Sequence, residues 1–207
     1  MILLVKIYNK INFLEYIYNL LKTKLFYKLI FAKIGEKSII YKPLKLINPQ
    51  NIEVNDCVYI YKNIRLEAVT SWNKKKYNPK IKICNNVNIE QNVHITCAEK
   101  IEIGENTSIL AYSLLTDINH KYTDIKIGSK NQNIYAEPIK IGKNCFIGMG
   151  VKILPGVELG DNCIVGANSV LKREKYPDGC VIAGIPAKII KIYNYKKKIW
   201  EKNEIID

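Results

Sequence analysis

Apolar residues recur at every sixth position along much of the chain, and many of the positions between them are polar. Four places after most of these residues stands a second small or β-branched side chain, as at Cys145, Val151 and Cys163. A fixed short period is typical of a solenoid, in which each repeat buries its apolar face by stacking on its neighbours. The runs are Ile83, Ile89 and Ile95, then Ile103, Ile109 and Leu115, then Ile141, Ile147, Ile153, Leu159, Val165 and Leu171.

The six-residue period predicts a parallel β-helix as an all-β main domain. Each hexapeptide would supply a short strand and a turn, and three hexapeptides would complete a triangular coil. Residues eighteen apart then stack at a spacing of about 4.8 Å. Cys145 above Cys163 is one stack that this arrangement predicts.

The repeat divides the chain into three zones. Residues 1–33 combine Leu, Ile, Tyr and Phe with lysines and almost no Gly or Pro, which predicts an extension of one or two basic amphipathic helices. Residues 34–186 carry the repeat and form the main domain. Residues 187–207 are rich in lysine and contain Trp200, and we expect a helical extension there, either a helix or a strand followed by a helix.

Charged residues interrupt the N-terminal zone too often for a membrane-spanning helix, which needs about 20 mostly apolar residues. We favour packing of this zone against the main domain or against a neighbouring subunit. Peripheral contact with a membrane surface is the alternative.

Two polar stretches break the six-residue period and predict excursions from the coil. The first covers residues 68–80 and contains Trp72 and Tyr77, and the second covers residues 121–138. A solenoid core tolerates little irregularity, so loops of this kind are where function is expected.

The composition excludes some classes of partner and indicates a location, but it does not identify a function. The formal net charge is +13, but no motif of a nucleic-acid-binding module appears, so we exclude nucleic acid as a partner. Six cysteines are scattered with no CxxC pair, and no signal-peptide pattern precedes them. These features predict reduced thiols in the core and a cytoplasmic location, with the inner face of the membrane as a variant of it.

His120 is the candidate for chemistry, because it ends a regular run immediately before the second excursion. It stands in the segment LLTDINHKYTD, where Asp117 and Asn119 accompany it. Imidazole titrates near neutrality and can remove a proton from a hydroxyl. The other histidine, His94, should point away from the core as a solvent or interface residue. Two histidines cannot supply the three imidazoles of a carbonic-anhydrase-type zinc site, so we expect no metal.

The stretch IGKNCFIGMGVKILPGVELGDNCIVGANSVLKRE, followed by GCVIAGIPAKIIK, resembles the hexapeptide-repeat acetyltransferases related to galactoside, maltose and nodulation-factor acetyltransferases. The segment LTDINHKY resembles the lipopolysaccharide and capsule O-acetyltransferase branch of that family. The resemblance covers roughly residues 34–191.

This resemblance implies a left-handed β-helix, a homotrimer and an active site between adjacent subunits. It implies that His120 is the base that deprotonates the acceptor hydroxyl, which then attacks the thioester of acetyl-CoA directly. It also places Asn92 near the reacting acetyl group or the acceptor. Asp117 and Asn119 are expected at the acceptor or its loop, and a plain turn-stabilising role is the alternative for Asn92 and Asp117.

For the donor, the resemblance implies that the pantetheine arm of acetyl-CoA lies along a coil edge near Met149, Gly166 and Ala167. Basic residues close on the phosphates of the nucleotide, where positive charge is favourable. The residues at the matching places are Lys172, Arg173, Lys188 and Lys191.

The acceptor is expected to be a sugar hydroxyl, as in a surface polysaccharide or its precursor. Arg65, Glu67 and Trp72 fall where capsule-type relatives carry a similar run, and an aromatic ring can stack on a sugar face. The enzyme alternatives are N-acetylation of an amino sugar and acetylation of an antibiotic. The non-enzyme alternative is a trimeric scaffold or a membrane-surface binding module.

Overall fold

The computed structural model describes residues 2–203, and most of them form a three-sided parallel β-helix. The helical segments are α1 (Ile2–Lys22), a π-helical turn (Thr23–Tyr27) and α2 (Lys28–Ile30). The strands are β1 (Lys33–Ile34), β2 (Ile39–Ile40), β3 (Lys45–Ile47), β4 (Ile52–Val54), β5 (Tyr59–Ile60), β6 (Arg65–Ala68), β7 (Ser71–Trp72), β8 (Lys75–Lys76), β9 (Lys80–Ile83), β10 (Asn88–Ile89), β11 (His94–Cys97), β12 (Lys100–Ile103), β13 (Ser108–Ile109), β14 (Leu114–Thr116), β15 (Ile118–His120), β16 (Ile134–Ala136), β17 (Ile139–Ile141), β18 (Phe146–Ile147), β19 (Lys152–Ile153), β20 (Glu158–Leu159), β21 (Ile164–Val165), β22 (Val170–Leu171), β23 (Lys175–Tyr176), β24 (Cys180–Gly184), β25 (Ala187–Asn194) and β26 (Ile199–Lys202).

Three sheets form the sides of the coil. Sheet 1 has the strand order β1-β4-β9-β12-β17-β20-β23, and sheet 2 has the order β2-β5-β10-β13-β18-β21-β24-β25-β26. Sheet 3 has the order β22-β19-β14-β11-β6-β3. Every pairing within the coil from β1 to β24 is parallel, as the six-residue period predicts.

The interior consists of columns of like side chains stacked from coil to coil. Phe146 pairs with Ile164 in register, so Cys145 stacks on Cys163 as predicted. Cys180 continues this column, with its Sγ 3.4 Å from the Sγ of Cys163. All six cysteines are free, and four of them are buried. The four buried cysteines fill space in the core, where small apolar side chains are needed.

Asparagine side chains hold one row of turns together. Asn86, Asn106, Asn144 and Asn162 all have left-handed backbone conformations, with φ between 54° and 58°. Asparagine tolerates this conformation better than most residues. Each side-chain amide donates to the amide oxygen of the next asparagine in the row, at 3.1, 3.0 and 3.2 Å. The row ties successive coils together along one corner.

Lysine and glutamate alternate along the outer face of sheet 1. Neighbouring strands therefore place opposite charges side by side, as in the pairs Lys82–Glu102 at 3.2 Å and Lys175–Glu158 at 3.0 Å. Opposite charges on adjacent strands are mildly stabilising. The row in register is Lys33, Glu53, Lys82, Glu102, Lys140, Glu158 and Lys175.

The predicted N-terminal helix is present, and only its C-terminal end packs on the coil. The Thr23 hydroxyl accepts a hydrogen bond from the Ile40 backbone N–H at 2.9 Å. Tyr27 and Phe31 are buried in the core. Residues 2–14 of α1, by contrast, are exposed along their whole length. Among residues 2–203, no helix is both long and apolar enough to cross a membrane.

The predicted C-terminal helix is wrong for residues 187–203. The chain there forms an antiparallel hairpin of β25 and β26, which extends sheet 2 beyond the last coil. The segment is rich in β-branched isoleucine, which favours strand, and its lysines cluster in the turn between the strands. Trp200 packs on Tyr193 across the hairpin, with ring centroids 5.2 Å apart. Residues 204–207 lie outside the described part.

Candidate active site

Two hairpins rise from one corner of the coil, at the two predicted interruptions. The first, β7–β8, follows the end of β6, and the second, β15–β16, follows the end of β14. Both β6 and β14 belong to sheet 3, where they flank β11. Since parallel strands end at the same edge, the two excursions leave the coil side by side.

Hydrogen bonds join the two hairpins into one wall. The Trp72 Nε1–H donates to the Gln132 carbonyl oxygen at 3.0 Å, and the Asn73 side-chain amide donates to the same oxygen at 2.7 Å. The Tyr77 hydroxyl donates to the Ile134 carbonyl oxygen at 3.0 Å. The wall is therefore held in place by polar contacts that a folded β-helix alone would not provide.

A cavity of about 430 Å³ lies between this wall and the outer face of sheet 3. Its floor consists of outward-pointing residues of β6, β11 and β14, and its sides come from the hairpins. The cavity size suits one or two sugar rings. The lining residues are Arg65, Glu67, Val69, Ser71, Trp72, Thr96, Leu114, Thr116, Ile118, His120 and Ile134.

His120 is the last residue of β15 and faces this cavity. Its backbone is fixed by pairing with Ile134 in the hairpin. Its ring contacts the indole of Trp72 edge to face, with centroids 5.0 Å apart and planes at 73°. Among residues 2–203, no side chain or backbone group hydrogen-bonds the imidazole. Both ring nitrogens are therefore open to a ligand.

Glu67 lies at the floor with two cations. Its Oε2 accepts hydrogen bonds from the Arg65 Nε at 2.8 Å and from the Lys45 Nζ at 3.2 Å. Burial acts to raise the pKa of the Glu67 carboxyl, but the hydrogen bonds and charges of Arg65 and Lys45 outweigh it and hold the pKa below its ordinary value. The carboxylate is thus ionised and fixed, with its other oxygen left for a ligand.

Two threonine hydroxyls complete the polar floor. The Thr96 Oγ1 donates to the Thr116 Oγ1 at 3.0 Å, on adjacent strands of sheet 3. Thr96, Thr116 and the cavity residue Ser71 were not among the predicted site residues. Their positions carry a signal. Thr96 stands on the strand between the two interruptions, Thr116 stands on the strand that leads into the second, and Ser71 lies within the first.

Asp117 does not contact the cavity, which corrects its prediction as an acceptor-binding residue. Its side chain is fully buried and accepts backbone N–H bonds from Ala98 at 2.7 Å, Glu99 at 2.8 Å and Lys100 at 2.9 Å. Burial raises the pKa of this carboxyl, against the opposing effect of those N–H groups. Asp117 therefore holds the turn between β11 and β12, next to the start of the second hairpin.

The two predicted asparagines also lie outside the cavity lining. Asn119 stands between Ile118 and His120 on β15, and alternation along the strand points its exposed side chain to the opposite face of the hairpin. Asn92 occupies a turn with φ 59° before β11, and its backbone N–H donates to the Lys62 carbonyl at 3.3 Å. In a single subunit, Asn92 stabilises a turn.

His94 faces outward and is half-buried, as predicted. It pairs in register with Arg65 on one side and Leu114 on the other, both of which line the cavity. Burial lowers the pKa of His94, and the positive charges of Arg65 and Lys152 lower it further. It is therefore held neutral at the edge of the floor.

The residues predicted for the donor fall into two groups. Met149, Gly166 and Ala167 lie on the corner between sheets 2 and 3, where the backbones approach so closely that a Cβ on Gly148 would lie 2.8 Å from the Ala167 nitrogen. Lys188 on β25 pairs with Ala183 on the antiparallel strand β24, at the same corner.

Three further predicted cations are exposed, and one of them is already paired. The Arg173 Nε lies 3.2 Å from the Glu137 Oε2, at the base of the second hairpin. Lys172 stands next to Arg173, and Lys191 pairs with Val181 on the outer face of sheet 2. Within the described residues, no group of three or more His, Cys, Asp or Glu side chains could hold a metal ion.

Comparison with known proteins places this geometry in a family. Residues 138–173 match the family model described as bacterial transferase hexapeptide (six repeats). A lipopolysaccharide biosynthesis O-acetyl transferase, WbbJ of Escherichia coli K12, is 33% identical over 96% of this chain and 97% of its own length. Galactoside O-acetyltransferase of the same organism is 33% identical over 59% of each chain.

A solved structure extends the likeness to the fold. AntD, an N-acyltransferase of Bacillus cereus crystallised with dTDP and 3-hydroxybutyryl-CoA, superposes with a TM-score of 0.67 at 21% identity. The match covers 82% of this chain and 87% of that one. The left-handed β-helix that the family resemblance implies is confirmed.

Proposed function

The chain belongs to the hexapeptide-repeat acetyltransferases, and on that premise we propose that it transfers an acetyl group from acetyl-CoA to a saccharide hydroxyl, with His120 as general base. The observation that carries the proposal is the position of His120, which faces a cavity of about 430 Å³ between two joined hairpins. Two relatives are named as O-acetyltransferases, one for lipopolysaccharide biosynthesis and one for galactosides.

In the proposed reaction, the neutral imidazole of His120 removes the proton from the acceptor hydroxyl. The oxygen attacks the thioester carbonyl of acetyl-CoA, and the tetrahedral intermediate collapses by breaking the C–S bond. The imidazolium returns the proton to the sulfur, so the products are the acetyl ester and free coenzyme A. A positioned general base contributes about 10²- to 10⁴-fold to such a step.

The floor and wall supply what a sugar ring needs for orientation. Trp72 offers an apolar face, while Thr96, Thr116 and the ionised Glu67 offer hydroxyl and carboxylate partners. Aromatic faces beside a few polar groups are the usual lining of a small-ligand site. Holding donor and acceptor in one groove supplies the proximity that direct transfer requires.

The donor is proposed to lie along the corner of Met149, Gly166 and Ala167. Gly166 and Ala167 are small enough to leave room for an extended pantetheine arm, and Lys188 at the end of this corner can meet a phosphate. Lys172, Arg173 and Lys191 are retained as further candidates. Arg173 would first have to leave Glu137.

N-acetylation of an amino sugar is the second candidate, because AntD is an N-acyltransferase. An ammonium acceptor would need a carboxylate in excess at the site. Glu67 is already matched by Arg65 and Lys45, so the floor carries no net negative charge to attract an amine. This balance favours a hydroxyl acceptor over an amino sugar or an aminated antibiotic.

We propose a homotrimer with the active site completed between subunits, which would give Asn92 a route to a neighbour's acetyl group. The outer face of sheet 2 supports this, since it exposes Phe146 and Ile164 while sheet 1 is covered with charge. The exposed apolar side chains of α1 are proposed to be buried either against a neighbouring subunit or against the inner face of the membrane. Flotation with anionic vesicles distinguishes the two, because only the membrane-bound form floats with the vesicles.

The proposal is tested by incubating the protein with acetyl-CoA and a panel of saccharides, followed by mass spectrometry. Acetylation that is sensitive to mild alkali identifies an O-ester, and alkali-stable acetylation identifies an amide. Absence of transfer to every saccharide, with coenzyme A bound, would favour the scaffold alternative.

A further inference from the structure

The two hairpins that wall the cavity carry an unbalanced positive charge. Residues 70–79 and 121–136 together hold six lysines and one acidic residue, Asp124. They thus contribute a net +5 of the chain's +13 from about an eighth of its length. All six lysines are exposed, and none forms an ion pair within residues 2–203; they are Lys74, Lys75, Lys76, Lys121, Lys126 and Lys130.

The six hairpin lysines differ from most lysines of sheet 1 in their lack of carboxylate partners within residues 2–203. On sheet 1, four lysines lie within 3.2 Å of a glutamate carboxylate; they are Lys80, Lys82, Lys100 and Lys175. The hairpins lack such ion pairs, and they wall the cavity that contains His120. Unpaired lysines around a cleft raise the local concentration of an anion and speed its association.

The floor beneath the hairpins has the same sign. Arg65 and Lys45 together outnumber Glu67, and Lys152 stands on the same outer face with its Nζ donating to the Tyr112 carbonyl at 3.1 Å. Glu137, at the base of the second hairpin, is neutralised by Arg173. The cavity lining thus includes the cation Arg65, and the six lysines stand on the two hairpins that form its wall.

Resting on the proposed function, we propose that the acceptor is a saccharide linked to a phosphate or diphosphate, with its sugar ring against Trp72 and its phosphate between the hairpin lysines. Flexible ammonium groups are suited to phosphate as compact point charges. The positive rim would then select the phosphorylated precursor over the same sugar in neutral form. A nucleotide or a lipid could equally carry the diphosphate.

The chain contains its own matched control for this idea. Lys74–Lys75–Lys76 lies in the first hairpin, and Lys196–Lys197–Lys198 lies in the C-terminal hairpin away from the cavity. Both triplets are exposed, and each has one lysine with left-handed backbone, Lys74 at φ 65° and Lys198 at φ 55°. Replacing either triplet with glutamine removes three positive charges from an exposed hairpin. Lys197 pairs with Glu201 at 2.9 Å, whereas the first triplet has no carboxylate partner within residues 2–203.

The experiment measures binding of inorganic pyrophosphate, UDP-glucose and glucose by calorimetry, with saturating coenzyme A to occupy the donor site. We expect K74Q/K75Q/K76Q to weaken the binding of pyrophosphate and UDP-glucose by about fivefold or more, since each exposed ion pair adds a fraction of a kcal/mol. K196Q/K197Q/K198Q should match the wild type. Equal effects of the two triplets, or no pyrophosphate binding with coenzyme A present, would overturn the inference.

An activity arm separates this inference from the proposed function. Acetyl transfer is compared among glucose, UDP-glucose and a prenyl-diphosphate-linked glucose in detergent, and the preference between the last two identifies the nucleotide or lipid source. If His120-dependent transfer to glucose were as efficient as transfer to its phosphorylated forms, the inference would be overturned and the proposed function would stand. Lysine-dependent binding without transfer to any sugar would instead overturn the proposed function.

Discussion

The imidazole of His120 contacts the indole of Trp72 edge to face, with ring centroids 5.0 Å apart, although the two residues belong to different hairpins. The indole is itself fixed by its Nε1–H bond to Gln132 on the second hairpin. Trp72 is thus both a wall of the cavity and a support for the orientation of the proposed base.

Removal of the Trp72 ring should therefore impair turnover more than donor binding. We expect Trp72→Ala to lower kcat by about tenfold or more, since a small misplacement of a catalytic group is costly. Trp72→Phe keeps an aromatic edge and should stay within about threefold of the wild type. Steady-state kinetics checks both, and a Trp72→Ala variant with normal kcat would contradict the positioning role.

Lys188 tests the placement of the donor. If its ammonium meets a phosphate of acetyl-CoA, Lys188→Ala should weaken binding by about three- to tenfold, within the range for an exposed charged contact. Lys140→Ala, on the charged face of sheet 1, is the matched control and should leave affinity unchanged. Calorimetry with coenzyme A gives the answer, and equal affinities for the two variants would move the nucleotide site elsewhere.

Asp117 should prove essential to the fold. Asp117→Ala leaves three buried or half-buried backbone N–H groups without their acceptor, so we expect the free energy of unfolding to fall by about 3 kcal/mol or more. The exposed Asp124→Ala should cost about 1 kcal/mol or less. Urea unfolding compares the two, and similar midpoints would show that the Asp117 contacts contribute little.

Glu67 gives the stability of the protein a dependence on pH. The pKa of its carboxyl is lowered in the folded chain, so its ion pairs stabilise fully above the ordinary value of 4.5 and lose that effect as the pH falls through the folded value. The wild type should therefore exceed Glu67→Gln in unfolding free energy at about pH 7, and the difference should shrink as the pH falls below 4.5 and through the lowered folded pKa. A difference that persisted unchanged into acid would contradict this.

The coil could be predicted from the sequence because its interior imposes a strict period. Positions such as Ile147 and Val165 must fit between stacked coils, and any other pattern would leave apolar side chains outside. The two interruptions and His120 beside the second one follow from the same pattern.

Other parts of the site could not be predicted, since they depend on register and burial. The contact between Thr96 and Thr116 requires the register of β11 and β14, which are neighbouring strands in successive coils. Asp117 has the sequence context of an accessible loop carboxylate, and only its three N–H partners show that it is structural. The C-terminal lysines masked the strand preference of the isoleucines between them, which is why a helix was expected there.

The replacement of each histidine in turn tests the proposed chemistry most directly. We expect His120→Ala to keep the wild-type oligomeric state and coenzyme A affinity while turnover falls by about 10²-fold or more, as for loss of a general base. His94→Ala, on the same face of sheet 3, should retain most activity. A His94 variant without activity beside an active His120 variant, measured on the same acceptor, would contradict the assignment of the base and the location of the active site.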